Sequence, residues 1–363
     1  MKLYQFIISA ITAFTLFSCS AEDNNGLDKP IVPAGEPATL KLTITDPMTR
    51  TRAAGDIGPD STTLNNLTIF IFRADGLSDI KPLYINKSEL KKDINITVTT
   101  AAQEVFVIAN TADSLITNRI GSKDQLIKES GNLMHNQDGF YETTQNATNL
   151  YMSGNRSITW GNDNVAEVTI PLSLLAAKVE VVVDLTSFNN PVGANRINIR
   201  DLVVLFAGAD VKYFNDNGER RNFYTGTQEY TIPTQLGDSI VDVSGSDELR
   251  ESVSFNGDGS MQTTNPHFYI LPNNANSLPT IIALRGTRTN SGVITNYYWP
   301  VKFVSVKAGV NYKLLIKLTG TTSDGSEGGS TLNPEKDITR GAMETNIVFP
   351  SWIQEDKVQD EWK

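Results

Sequence analysis

Leu40-Lys41-Leu42-Thr43-Ile44-Thr45 alternates apolar with polar side chains and stops at Asp46-Pro47. A period of two puts Leu40, Leu42 and Ile44 on one face, the signature of a half-buried strand. The same pattern recurs along the chain. Leu67 to Phe72 reads as a strand closed by a turn at Asp75-Gly76, and Ile94 to Val98 as another. Val105-Phe106-Val107-Ile108-Ala109-Asn110 is a continuous apolar run, which suits a strand buried on both faces. Tyr151 to Gly154 and Val165 to Ile170 close a first block, with Pro171 marking a boundary. A second block opens at Lys178 to Asp184. Its later strands fall at 198–206, 268–271, 280–284, 297–304 and 312–318, separated by polar insertions at 209–231 and 244–266. Residues 112–136 are the best candidate for helix, although Gly121 and Gly131 interrupt the pattern. Many short strands with Gly, Asn and Pro turns predict an all-β chain of two tandem β-sandwiches, over 53–172 and 173–318. No short-period repeat is visible.

Upstream of the first strand the chain reads as processing signals. Lys2 gives a positive start, and Phe6 to Phe17 is an uncharged apolar run too short to span a membrane. Ser18-Cys19 then sets a small residue before the single cysteine. Residues 1–18 therefore read as a lipoprotein signal peptide, cut by signal peptidase II between Ser18 and Cys19, with Cys19 acylated. Acyl chains would hold the precursor at the outer membrane, each buried CH₂ contributing ~0.8 kcal/mol. Residues 20–37 form a tether, and its Glu22-Asp23 resembles an export signal of surface lipoproteins. A second cut is expected just past the first strand, in Thr49-Arg50-Thr51-Arg52-Ala53. An exposed loop arginine needs no protease. Here Arg52 and Ala53 lie between a separable strand and small residues, which favours cleavage after Arg52 over the weaker Arg50. Residues 19–52 are then a propeptide, and Leu40, Leu42 and Ile44 belong to a removable strand.

The other end mirrors this. Residues 319–342 are rich in Gly, Ser, Thr and Asp and read as a linker; the wider span 319–363 forms a C-terminal appendage. Ile347, Val348, Phe349, Trp352 and Ile353 make a strongly apolar tail, with Trp362 as a packing anchor. Such a strand does not easily belong to a finished sandwich, and exposed alone it would aggregate. The plain alternative is a last core strand of the second block. Arg340 resembles a further target, but cutting there would delete the tail, so it is expected to be shielded.

Composition excludes several chemistries. The net charge is −10, and the segment up to residue 52 carries five basic and five acidic residues, so its loss leaves that value unchanged. An acidic chain repels nucleic acid and anionic lipid. One cysteine excludes an internal disulfide. His135 and His267 lie in separate blocks, so a histidine zinc site is disfavoured and no metal or cofactor is expected. No nucleophile elbow supports an esterase triad, and the acidic run 210–221 lacks calcium-loop spacing. The chain does not read as an enzyme.

The two ends suggest one mechanism. A sandwich that loses its first strand exposes unpaired backbone and an apolar slot. The tail of another copy can fill it by strand addition. Such a joint is heterologous and builds a filament. Here the chain resembles the fimbrillins, or type V pilins, of Bacteroidia. The resemblance rests on the lipobox at Cys19, Thr51-Arg52-Ala53-Ala54, Val105 to Thr111, Lys307-Ala308-Gly309-Val310-Asn311-Tyr312, and a C-terminal strand pair ending near a tryptophan. It implies transthyretin-like sandwiches, lipoprotein export, cleavage by an Arg-specific protease of the gingipain kind, and polymerisation by donor-strand exchange into a cell-surface fimbrium. Tip and anchor subunits are implied as partners, beside further copies of the chain itself. The tail points to a stalk subunit, since tip subunits of the family tend to lack it. A tip or anchor role stays open. So does a second class, a surface glycan-binding lipoprotein, for which Tyr297-Tyr298-Trp299 is the one aromatic cluster resembling a sugar platform.

Overall fold

The computed structural model describes residues 35–45, 63–91, 93–111, 116–131, 150–186, 197–205, 207–208, 210–216, 218, 222–225, 228–231, 250–263, 266–274, 279–290, 293–303, 305–318 and 343–348. The first sandwich opens with β1 (Pro37–Thr45), β2 (Asn66–Arg73), β3 (Leu83–Asn86), β4 (Asp93–Thr99) and β5 (Ala102–Ala109). Two single-turn helices follow, α1 (Ile116–Arg119) and α2 (Lys123–Leu126), then β6 (Ser130–Gly131), β7 (Met152–Ser157), β8 (Val165–Pro171) and β9 (Ser173–Leu174). One sheet has the order β4-β1-β8 and the other β3-β2-β5-β7-β9. The second sandwich holds β10 (Ala177–Asp184), β11 (Ile197–Leu205), β12 (Ala207–Gly208), β13 (Val211–Lys212), β14 (Asn222–Thr225), β15 (Gln228–Thr231) and β16 (Arg250–Ser252). It continues with β17 (His267–Ile270), β18 (Thr280–Asn290), β19 (Val293–Phe303), β20 (Asn311–Leu318) and β21 (Met343–Val348). Its sheets run β17-β10-β20-β21 and β16-β11-β18-β19, with a small β12-β14-β15 sheet beside them. The all-β class and the pair of sandwiches stand as expected.

The two sandwiches share a wiring that the sequence hides. In each, the first strand lies inside its sheet. β1 is antiparallel to β4 and parallel to β8. β10 is antiparallel to β17 and parallel to β20. The apolar alternation of each first strand supplies the core: Leu40 and Leu42 in one, Val179 and Val181 in the other, are fully buried.

Three expectations change. Of the helix expected across 112–136, the described residues 116–131 hold two single turns, α1 and α2, because Gly121 and Ser122 separate them and Ser122 caps the second with Gln125 in a reciprocal capping box. β9 still pairs with β7 of the first sandwich, beyond the boundary set at residue 172. The insertion at 209–231 is not merely polar. Val211, Tyr213 and Phe214 are buried in the core of the first sandwich.

That insertion explains the run at 105–110. Gly154 sits opposite Val107, and a Cβ there would lie 2.7 Å from Ile170 Cγ2, so this face of the five-stranded sheet looks onto the β4-β1-β8 sheet. The opposite face carries Phe106 and Ser153. Phe214 meets Phe106 edge to face at 4.9 Å, Tyr213 meets Tyr151 at 5.5 Å, and Ser153 Oγ donates to the Tyr213 carbonyl at 2.6 Å. β13 also pairs with β6 across the two sandwiches. A sheet covered on both faces needs apolar residues at consecutive positions. Deleting one aromatic ring of this clasp leaves a cavity, so Phe214→Ala should lower unfolding free energy by about 3–5 kcal/mol in chemical denaturation.

Candidate functional site

β1 is the middle strand of its sheet. Its backbone pairs with β4 from Pro37↔Thr99 to Thr43↔Asp93, and with β8 from Thr39↔Val165 to Thr45↔Pro171. Ala38, Leu40, Leu42 and Ile44 point into the core with Ile96 and Val98 of β4 and Ala166, Val168 and Ile170 of β8. Burying Leu40, Leu42 and Ile44 contributes about 5–9 kcal/mol before ordering costs. Outward residues add little. Lys41 Nζ meets Glu167 at 2.9 Å and Thr43 Oγ1 donates to Asp93 at 2.8 Å, both in solvent. The Glu167 hydrogen bond and charge raise the Lys41 pKa above its ordinary value. That contribution is lost only as pH rises through the raised pKa, so it is intact near neutrality.

Both ends of β1 are fastened by backbone. Glu36 and Thr100 exchange hydrogen bonds, Glu36 N donating to Thr100 Oγ1 at 2.9 Å and Thr100 N to the Glu36 carbonyl at 2.8 Å. Leu172 N donates to the Thr45 carbonyl at 3.0 Å. Gly35 permits the approach, since a Cβ there would fall 2.3 Å from Ala101 N.

Beyond the connection at 46–62, the chain is pinned again before β2 begins. Asn110 adopts φ 62°, a left-handed conformation that asparagine tolerates. Its Oδ1 accepts from Asn65 N at 2.8 Å, while its Nδ2 donates to the carbonyls of Thr63 at 2.8 Å and Leu150 at 2.9 Å. Asn66 Oδ1 accepts from Thr111 N at 3.0 Å, and Asn66 Nδ2 donates back to the Thr111 carbonyl at 3.2 Å. The start of β2 therefore holds its place through Asn110 and Thr111, independently of β1.

At the other end, β21 adds antiparallel to β20, with Lys313↔Val348 and Leu318↔Met343. Ile347 and Val348 thus lie in a strand at the edge of their own second sandwich, contrary to the expectation that this strand would not easily join a finished sheet. The free outer edge of β20 explains the difference. Ser18, Cys19, Arg52, Ala53, Phe349, Trp352 and Ile353 lie outside the described residues, as do Arg50, Arg340, His135 and Trp362.

The aromatic platform falls away. Tyr298 and Trp299 are buried in β19, and they cannot offer faces to a sugar. Asp216 of the 210–221 acidic run caps a turn, accepting from Lys212 N at 2.8 Å and Gly218 N at 2.7 Å. His267 packs edge to face on Tyr269 at 5.5 Å. Among the described residues no cluster of His, Cys, Asp and Glu is placed to hold a metal ion. The sequence reading missed the flanks of β1: Ala38, Ile96, Val98 and Ala166. Their alternation was visible, but which strands neighbour β1 was not.

Residues 38–175 match the family model of the major fimbrial subunit protein FimA, and residues 176–352 match that of the FimA-like major fimbrial subunit protein, C-terminal domain. The chain belongs to the FimA-like fimbrial subunit family. The first match begins at Ala38, inside β1, so that strand is part of the domain the family model describes. No curated protein matches the chain. Among solved structures, a candidate cell adhesion protein of Bacteroides eggerthii DSM 20697 superposes with a TM-score of 0.68 at 26% identity, covering 88% of this chain and 98% of that one. A fimbrilin of Porphyromonas gingivalis W83 shares the fold with a TM-score of 0.55 at 15% identity, covering 90% of this chain and 100% of its own. Fimbrial subunits of this family are structural proteins of the cell surface.

The packing sets a test. Leu42→Ala should destabilise the intact chain by about 2–5 kcal/mol, because its side chain is fully buried between the two sheets. In a chain lacking residues 1–52 the position is gone, so the two forms should differ in thermal unfolding by more than this one substitution causes.

Proposed function

We propose that this fimbrial subunit is a stalk pilin that is exported as a lipoprotein on Cys19, cut after Arg52 by an Arg-specific protease, and polymerised by donor-strand exchange. The observation that carries the reading is the place of β1. It is a central strand, and residues 46–62, which contain Arg50 and Arg52, are its covalent tie to β2. A cut there frees a strand held by backbone pairing and side-chain burial alone. Departure of β1 would leave β4 and β8 with facing unpaired edges over an apolar slot lined by Ile96, Val98, Ala166, Val168 and Ile170.

A donor entering that slot meets an antiparallel edge on β4 and a parallel edge on β8. Ile347, Val348, Phe349, Trp352 and Ile353 of another copy are the proposed filling, since Ile347, Phe349 and Ile353 fall at even spacing and suit a slot vacated by Leu40, Leu42 and Ile44. Loss and replacement of a central strand require most of the sheet to open, so the joint would be held by slow unfolding as much as by affinity. The contrast with β10 supports the choice of end. β10 occupies the matching place in the second sandwich, but only Leu175 and Ala176 separate it from β9, so it cannot leave. The precursor would sit at the outer membrane through its lipid, and the mature chain in the fimbrium beside tip and anchor subunits.

Digestion of the chain lacking residues 1–19 with an Arg-specific protease should yield a new N-terminus at Ala53, followed by ladders and filaments in electron microscopy. The double substitution Arg50→Ala and Arg52→Ala should leave monomers. Removing residues 343–363 should permit the cut but abolish filaments. A cut that yields only inert monomers from the full chain would overturn the stalk reading in favour of an anchor subunit or a surface-binding lipoprotein.

A further inference from the structure

A groove of about 850 Å³ lies where the two sandwiches meet. One wall is an open strand edge. β9 pairs with β7 only at Met152 and Ser153, and among the described residues nothing continues that ladder along Asn155, Arg156 and Ser157. All three are exposed, and their other edge is taken by β5. Three cations line the groove: Lys123, Arg156 and Lys212. Two carboxylates oppose them. Glu104 is already paired with Lys123, and Asp216 accepts from backbone N–H groups. Within a chain of net charge −10, this is a locally cationic slot.

The far rim of the groove is the turn at Ala308-Gly309, just before β20. β21 runs antiparallel to β20 and delivers Val348 opposite Lys313. Gly309 is four residues earlier, about 13 Å along a strand. The direction of β21 at Val348 is thus toward the Ala308-Gly309 side of the groove. Fifteen residues follow Val348, enough to span roughly 50 Å when extended. They include Glu355, Asp356, Asp360 and Glu361, against Lys357 and Lys363.

We infer that residues 349–363 dock in the groove of their own chain before assembly, the acidic segment from Gln354 adding as a strand to the open edge of β7. The direction of β21, reach, an edge with no partner strand among the described residues and opposite charge all favour this occupant. Docking covers an apolar, strand-forming tail that would otherwise pair with any exposed edge. Its role as a store for the donor rests on the pilin reading; the docking itself does not.

Zero-length carbodiimide cross-linking of the uncleaved chain, started at Ser20 and mixed equally from ¹⁵N-labelled and unlabelled protein, tests it. The expected result is Lys212 or Lys123 joined to Glu355, Asp356, Asp360 or Glu361 in the monomer, with both peptides carrying the same isotope. Mixed-isotope pairs would assign the groove to a second copy and overturn the inference, as would no link between these lysines and the tail. Arg156→Glu with Lys212→Glu should cut links from Lys123 roughly threefold at low ionic strength and much less at high salt. An unchanged yield would remove the charge argument and overturn the site. Filament formation is read separately after cleavage. Filaments without tail links sink the groove and leave the pilin; tail links without filaments do the reverse.

Discussion

β1 is paired along both edges, and the geometry of the first sandwich depends on it. A central strand satisfies two rows of backbone groups, its own partners' included, while its inward side chains fill the space between the sheets. An edge strand can leave a sheet with one row unpaired. A central one leaves two rows and a trench of apolar surface, which is far more costly and far more specific about what replaces it. The position of Leu40, Leu42 and Ile44 between β4 and β8 thus makes the strand indispensable to its sheet.

The rest of the first sandwich has attachments of its own. Asn110 and Thr111 pin the chain from Thr63 to Asn66, so β2 does not rely on β1 for its start. The five-stranded sheet is covered on its far face by Phe214 and Tyr213 from the second sandwich and by the short helices. That covering ties the two sandwiches through packed rings, a buried serine and a short two-stranded ladder. The chain path has the same logic, since β8 flanks the trench and passes through β9 almost directly into β10, the central strand of the second sandwich.

Much of this was legible in the residues. Alternation at 40–45, 94–98 and 165–170 announced strands, and the unbroken apolar run at 105–110 announced a sheet covered on both faces. What covered it was hidden. Val211, Tyr213 and Phe214 sit in a polar insertion, and three apolar residues among many polar ones carry no period. The break between the short helices was legible at Gly121, but the capping role of Ser122 beside it was not. Tyr298 and Trp299 read first as core strand and only second as a platform, and their burial bears out the first reading.

The sequence by itself determined that the chain is all-β, that its first strand is amphipathic, and that its ends carry apolar segments set between small, polar and basic residues. These are local properties, set by side-chain period and turn chemistry. Only the tertiary structure decided that β1 is central, that it runs parallel to β8 and antiparallel to β4, that β21 returns to the edge of β20, and that a groove with Lys123, Arg156 and Lys212 in its lining opens between the sandwiches. Strand order and direction come from pairings between residues tens of positions apart, and for β1 and β8 more than a hundred, and no local pattern encodes which of several similar apolar strands will lie side by side.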